Sequence, residues 1–254
     1  MSEEINKKEG TDRQQLLEQI RTAPKLCTLM SPCTQRPYIA CDPETFDDEI
    51  FIFFDDKEAA NEAARLLKEE IPVAVAEFEQ QYLLAFTAAL YTMGVNAILV
   101  KQGETATTVQ LPELVRRPKP EDLPEGKQLI ENPELHLTAL YYMQEFMRKP
   151  NDPKDPKFLE LQEEIMANFG KGKYIFAISA EDHTSMPLIK LDKEKEDLFQ
   201  PVFTDILEFQ RFNQEKKLSP IIIDAEKIPQ FVAKEAVGVL INPTGVKLPL
   251  TVKR

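Results

Sequence analysis

Ile50-Phe51-Ile52-Phe53-Phe54-Asp55-Asp56-Lys57-Glu58 is the stretch on which the fold turns. Five consecutive β-branched and aromatic residues read as a strand. Asp55-x-x-Glu58 then reads as a capping box, and beyond it Ala59, Ala63, Leu66 and Leu67 recur at helical spacing. Working outward, Ile71–Val75 is a short buried strand, and Phe78, Tyr82, Ala85, Phe86, Ala89 and Met93 give a second helix stopped by Gly94. Val95–Val100 closes the unit, turns at Gly103 and returns as Val109–Pro112. Upstream lie a helix marked by Leu16, Leu17 and Ile20, a strand at Lys25–Leu29, and Pro37-Tyr38-Ile39.

The same order recurs later in the chain. Phe158, Leu161 and Ile165 mark a helix, Lys173–Ile178 a strand, Pro187-Leu188-Ile189 a short extended piece, and Phe199–Phe203 the strand that meets a helix. Asp205-x-x-Glu208 opens that helix, with Leu207 or Ile206, Phe209 and Phe212 on one face and an entry one residue out of step with the first copy. Pro220–Ile223, a helix of Ile228, Phe231, Val232 and Ala236 capped by Asp224 and followed by Gly238, the strand Val237–Ile241, a turn at Gly245 and Val246–Pro249 complete it. Each half therefore reads β-β-β-α-β-α-β-β. The early strands form an antiparallel hairpin, and strands joined through helices need crossovers that favour parallel neighbours. The expected fold class is α/β (α+β), with two related modules, each a mixed sheet with an antiparallel hairpin and β-α-β-α-β crossovers.

The expected boundaries are 1–117 for the first module, 118–131 for a Pro-rich extended linker, and 132–254 for the second module with its own connecting helix. Three prolines in Pro118-Lys119-Pro120-Glu121-Asp122-Leu123-Pro124 argue against strand pairing there. Asn132-Pro133 opens the connecting helix, which runs to about Lys149 with Leu137, Leu140, Tyr141, Gln144 and Met147 as its apolar stripe. A second break falls at 150–156.

Composition limits the partners. The 254 residues carry 31 Lys and Arg against 43 Asp and Glu, a net charge of −12 that opposes nucleic acid and anionic lipid at long range. Basic residues come in short clusters, Arg116-Arg117, Lys171 to Lys173, Lys216-Lys217 and Lys253-Arg254, and there is no Trp. The polar N-terminus lacks a signal-peptide core and no apolar run reaches 18 residues, so no membrane span is expected. Cys27, Cys33 and Cys41 have no C-x-x-C spacing, and an odd number without a secretory signal reads as reduced thiols, which points to the cytoplasm.

Catalytic chemistry is thinly supplied. His136 and His183 are the two histidines, one in the connecting helix and one in a polar turn, too few for the usual zinc or nucleophile–base sites. Gly170-Lys171-Gly172-Lys173 follows a helix and precedes a strand, the reverse of a phosphate loop, and reads as a helix end. Asp47-Asp48-Glu49 and Asp55-Asp56 flank one strand, where a cation site competes with helix capping, and capping is the simpler account. In Asn242-Pro243-Thr244-Gly245, proline sets a turn, glycine supplies a positive φ and Asn bonds its own backbone. No catalytic residue, cofactor or metal is expected.

Pro201-Val202-Phe203-Thr204-Asp205, Ile228-Pro229 and Gly238-Val239-Leu240-Ile241-Asn242-Pro243, together with Asn132-Pro133-Glu134-Leu135 and Lys173–Phe176, resemble the SseB family, named for enhanced serine sensitivity. The resemblance covers roughly residues 131–250 and reaches the first half only through the repeat, where Phe54-Asp55-Asp56 and Val100-Lys101 replace the motifs. It implies a family with no agreed catalytic residues and with a name that also attaches to secretion. Phe203, Thr204, Asp205, Asn242 and Pro243 are the motif positions for which it implies an interaction role. Two function classes follow: a non-catalytic adaptor whose modules bind an unknown protein or peptide, or a small-ligand sensor or enzyme using a carboxylate-lined inter-module cleft. The sequence fixes no oligomeric state.

Overall fold

A computed structural model describes all residues except 1, 118, 151–154, 193 and 254, with backbone alone at 2–11 and 120. Part of the break expected at 150–156, Pro118 and Arg254 thus lie outside the described residues. The chain divides into two compact units. One is Met1–Ser31, Pro37–Tyr91 and Val95–Pro118; the other is Pro32–Arg36, Thr92–Gly94 and Lys119–Arg254.

The first unit contains α1 (Ser2–Thr22), β1 (Lys25–Ser31), β3 (Ile39–Cys41), β4 (Asp48–Phe53), α2 (Asp56–Lys68), β5 (Ala74–Glu79), α3 (Leu83–Thr92), β6 (Ala97–Gln102), β7 (Thr105–Gln110) and α4 (Leu111–Leu114); a two-residue β2 (Arg36–Pro37) pairs with β1. β4 lies antiparallel to β1 and parallel to β6, and β6 antiparallel to β7. β5 pairs antiparallel with the opposite edge of β1, and β3 pairs with β4.

The second unit contains α5 (Pro133–Arg148), α6 (Pro156–Phe169), β8 (Lys173–Ser179), β9 (Ile189–Lys190), β10 (Leu198–Phe203), α7 (Ile206–Phe212), β11 (Leu218–Asp224), α8 (Ile228–Phe231), β12 (Ala236–Ile241) and β13 (Leu248–Thr251). Its sheet runs β11-β8-β10-β12-β13 with β9 on β10, and its pairings have the same senses as their counterparts. Each unit is a mixed α/β module, and the two share one strand order. Phe53 stands opposite Cys27, and Phe203 opposite Ile175, which aligns the two strand–helix junctions residue for residue. The offset of one residue expected between the boxes is therefore absent: Asp55 and Asp205 each follow their Phe by two positions, and each caps its helix.

Apolar residues on both faces of β4 explain its unbroken hydrophobic run. Phe51 and Phe53 pack with Cys27, Leu29, Ala59 and Leu66, while Ile50 and Ile52 are buried on the alternate positions. Phe203 packs likewise with Ile175, Ala177, Phe209 and Ile130. Ile130 is thus a core residue inside the stretch read as linker.

Several expectations need correction. β5 is an edge strand, mostly exposed, and starts at Ala74 because Pro72 cannot donate to a ladder. Its α2 crossover carries it past β1, so its neighbour is antiparallel. Phe78 belongs to β5, and α3 begins at Leu83. On α2, Leu67 is exposed and Glu62 is buried in its place. On α5 the most buried face runs through Leu135, His136, Ala139 and Leu140; of the expected stripe Leu140 is buried, Leu137, Tyr141 and Gln144 are half-buried, and Met147 is exposed. Gly238 lies within β12, where a Cβ would stand 2.0 Å from the Leu250 carbonyl oxygen, so contact with β13 requires glycine. Among the described residues no helix is long and apolar enough to cross a membrane.

Candidate functional site

At the end of β10 the backbone runs directly into α7, and four of the five singled-out motif positions meet there. Phe203, Thr204, Asp205 and Asn242 are all fully buried. Asp205 Oδ1 accepts from the Leu207 and Glu208 amides at 2.9 and 3.0 Å, capping α7. Its Oδ2 accepts from Thr204 Oγ1 at 2.8 Å and lies 3.5 Å from His136 Nδ1. Asn242 Oδ1 accepts from the Thr204 amide at 3.0 Å, and Asn242 Nδ2 donates to Thr204 Oγ1 at 2.8 Å. The Asn242 side chain thus ties β12 to the junction instead of bonding its own backbone. The positive φ of that turn falls on Asn242 and Lys247; Gly245 is needed because a Cβ would meet Glu208 Oε2 at 2.9 Å. Pro243, half-buried, follows Asn242 in the same turn.

His136, 0% exposed, sits beneath this junction. Its Nδ1 lies 3.1 Å from the Thr92 carbonyl oxygen, an acceptor only, so the proton is assigned to Nδ1. Its Nε2 has no hydrogen-bond partner among the described residues. Burial pushes the Asp205 carboxyl up, but the hydrogen bonds from His136, Thr204 and the Glu208 amide outweigh it and hold it below the usual range. The pair has the residue types of an acid–base couple, yet both members are sealed from solvent, and a catalytic base must reach the proton it takes.

Beside it Glu208, also fully buried, is gripped by Arg36. Arg36 Nε and Nη2 bond Oε1 at 3.0 and 2.9 Å, and Nη2 bonds Oε2 at 3.0 Å. Arg211 Nη1 adds a bond to Oε1 at 2.6 Å. Burial pushes the Arg36 guanidinium down, against the pull of Glu208. Residues 32–36 carried no sequence signal for this role, since the partners are far apart in the chain.

The first unit uses the same junction differently. Asp55 caps α2 but is exposed. Lys101, paired with Phe53 across β4 and β6, stands where the second unit has Asn242. Lys101 Nζ donates to Glu62 Oε2 at 2.6 Å and Arg65 Nη2 to Glu62 Oε1 at 2.7 Å. Glu58 Oε1 accepts from the Gly103 amide at 2.7 Å. These residues line an open cavity of about 350 Å³. Glu62, Arg65 and Lys101 are paired with one another there, and Glu58 is held by the Gly103 amide.

The remaining candidates resolve into structural roles. Gly170 is the C-cap of α6, and a Cβ at Gly172 would lie 2.2 Å from Asn132 Oδ1 and 2.5 Å from the Tyr174 hydroxyl. Lys171 and Lys173 share a cavity of about 240 Å³ with Glu131 and Glu134, so an anion finds no net attraction. His183 is exposed in its turn. Among the described residues no cluster of His, Cys, Asp and Glu is arranged to hold a metal ion. None of the three cysteines is in a disulfide; Cys27 is buried and Cys41 exposed.

Glu49, 4% exposed on β4, is pushed up by burial, against a 3.3 Å hydrogen bond from Thr108 and with added repulsion from Asp42 and Asp47. The folded state then binds its proton more tightly than the unfolded chain, so stability falls as pH rises from the ordinary glutamate range through the folded value. Glu49→Gln is expected to stabilise the protein at pH 7, because it removes the burial penalty of the charged form. The gain should vanish near pH 4, as thermal unfolding at the two pH values will show.

No family model matches the chain, and no curated protein matches it. Two solved structures share limited similarity. Tic22 from Plasmodium falciparum is 14% identical over 84% of each chain with a TM-score of 0.23. Anabaena Tic22, described as a protein of protein transport, is 11% identical over 85% of each chain with a TM-score of 0.22.

Proposed function

We propose that this chain is a cytoplasmic, non-catalytic protein of the bacterial SseB family whose two modules bind a protein or peptide. The observation that carries the reading is an inversion of the usual arrangement of an enzyme. The groups fit for acid–base chemistry, His136 and Asp205, are sealed, while large apolar side chains stand out in water. On α3, ten residues without a charge, Leu84 is 66% exposed, and Tyr82 just before it is 57% exposed. The motif residues Phe203, Thr204, Asp205 and Asn242 fix the entry of α7 and the turn after β12 within the second module. The unbridged thiols support the cytoplasmic assignment.

The test is to isolate the tagged full chain from its own cells at low salt and weigh the eluting species by light scattering. A stoichiometric partner, identified by mass spectrometry, is the expected result. Recovery of the chain alone, with a small metabolite raising its melting temperature, would favour the sensor reading. That second reading draws on the open cavity lined by Glu58, Glu62, Arg65 and Lys101.

Nucleic acid is not among the proposed partners. With a net charge of −12 and basic clusters of two or three residues, binding to mixed-sequence DNA or RNA should be weaker than about 100 μM near physiological salt. Low-micromolar affinity with a steep salt slope in fluorescence anisotropy would contradict this.

A further inference from the structure

The loop between β3 and β4, Asp42-Pro43-Glu44-Thr45-Phe46-Asp47, presents the most exposed large apolar side chain among the described residues. Phe46 is 75% exposed, and its φ is +59°, the left-handed region that bulky L-residues avoid. No other apolar residue among those described, glycine aside, has a positive φ.

The loop holds this conformation firmly. The Asp42 amide donates to the Asp47 carbonyl and the Phe46 amide to the Asp42 carbonyl, both at 2.9 Å. Asp42 Oδ1 accepts from the Glu44 and Thr45 amides at 2.8 Å. Asp47 is bound from the side by Asn96 Nδ2 and Gln110 Nε2, each at 2.8 Å, and Asn96 Oδ1 also takes the Asp48 amide. An aromatic side chain is therefore held out in water on a backbone that disfavours it. Strain retained without a packing reward points to use elsewhere.

Charge identifies what would receive it. Asp42 and Asp47 are held by neutral N–H donors, which leaves their negative charge in place around Phe46, and Glu44 adds a third carboxylate. Burying an aromatic anchor desolvates this rim, which a positively charged surround offsets.

We propose that Phe46 is a preorganised anchor that inserts into an apolar pocket, rimmed by Lys or Arg, on a protein partner. The inference rests on the protein-binding reading above and names the contact. Stability and contact test it together. Phe46→Asn relieves the backbone, because Asn tolerates this region, and the melting temperature should rise by about 2–4 °C. A fall would mean that Phe46 is held by packing, and would overturn the proposal.

For the contact, p-benzoylphenylalanine is placed at position 46 of the full chain, and at Ala64 on α2 as a control. After irradiation in the source cells, adducts are mapped by mass spectrometry. One principal adduct from position 46, on an apolar residue flanked in its structure by Lys or Arg, is expected, and Phe46→Asn should weaken binding of that identified partner at least tenfold. Adducts scattered over many proteins, an adduct on a second copy of this chain, or undiminished binding by Phe46→Asn would each overturn it. If the partner still co-elutes with Phe46→Asn, the binding-module reading stands and this contact falls. If the wild-type chain gives no adduct and elutes alone, both fall.

Discussion

Asp205→Ala is expected to cost about 3–5 kcal/mol, the range for breaking a buried charged network. The carboxylate receives the Leu207 and Glu208 amides and the Thr204 hydroxyl, and faces His136. Alanine strands all of these in a site that solvent does not reach. Asp205→Asn keeps a cap oxygen and should lose only about 1–2 kcal/mol. The two variants also differ from wild type in their response to acid. Since the Asp205 carboxyl is held below its ordinary value, it stabilises the fold above the unfolded carboxylate range, and that contribution disappears as pH falls through the folded value. Urea unfolding from pH 7 to pH 3 should therefore show a flatter acid limb for Asp205→Asn. An unchanged limb would mean that another carboxylate governs acid stability.

Glu208→Ala should be equally severe, at about 3–5 kcal/mol, because it leaves the Arg36 guanidinium buried against one weaker set of partners, the Gln35 and Thr244 carbonyls. Arg36→Met alone should also destabilise, by leaving Glu208 with Arg211 as its remaining ion-pair partner. The pair Arg36→Met with Glu208→Leu should recover most of the loss, since apolar side chains of similar volume need no charge compensation. A double-mutant cycle on unfolding free energies reads the coupling directly. Additive losses would show that the two residues act through separate contacts.

How far the sequence revealed this molecule depended on the range of the interactions. The change from period two to period 3.6 at Asp55 and at Asp205 is local, so both strand–helix junctions were visible in it, and with them the repeated module. β5 was misread for a reason outside its own residues: Ile71-Pro72-Val73 has the composition of a buried strand, but the crossover deposits the following segment at a sheet edge. Glu62 on α2 and Glu208 on α7 broke the apolar stripes. Each is buried because a distant cation meets it, Lys101 in one case and Arg36 in the other. His136 lies outside the stripe read for α5, which shares Leu140 with the buried face but misses its Leu135 and Ala139. Asn242 was read within its turn, whereas its partner Thr204 is thirty-eight positions away. Local chemistry was legible; partners brought together by the sheets were not.

The two strand–helix junctions set different tolerances for change. In the second unit the side chains of Thr204, Asp205, Glu208 and Asn242 are tied to one another or to neighbouring partners, so substitutions there must come in compatible groups. The junction of the first unit has an exposed cap and a cavity open to solvent, and its side chains can be exchanged one at a time. A protein engineer wishing to graft a new recognition surface onto this scaffold would randomise positions 58, 61 and 65, leaving Glu62 with Lys101, the left-handed Gly103 and the whole second module as fixed framework.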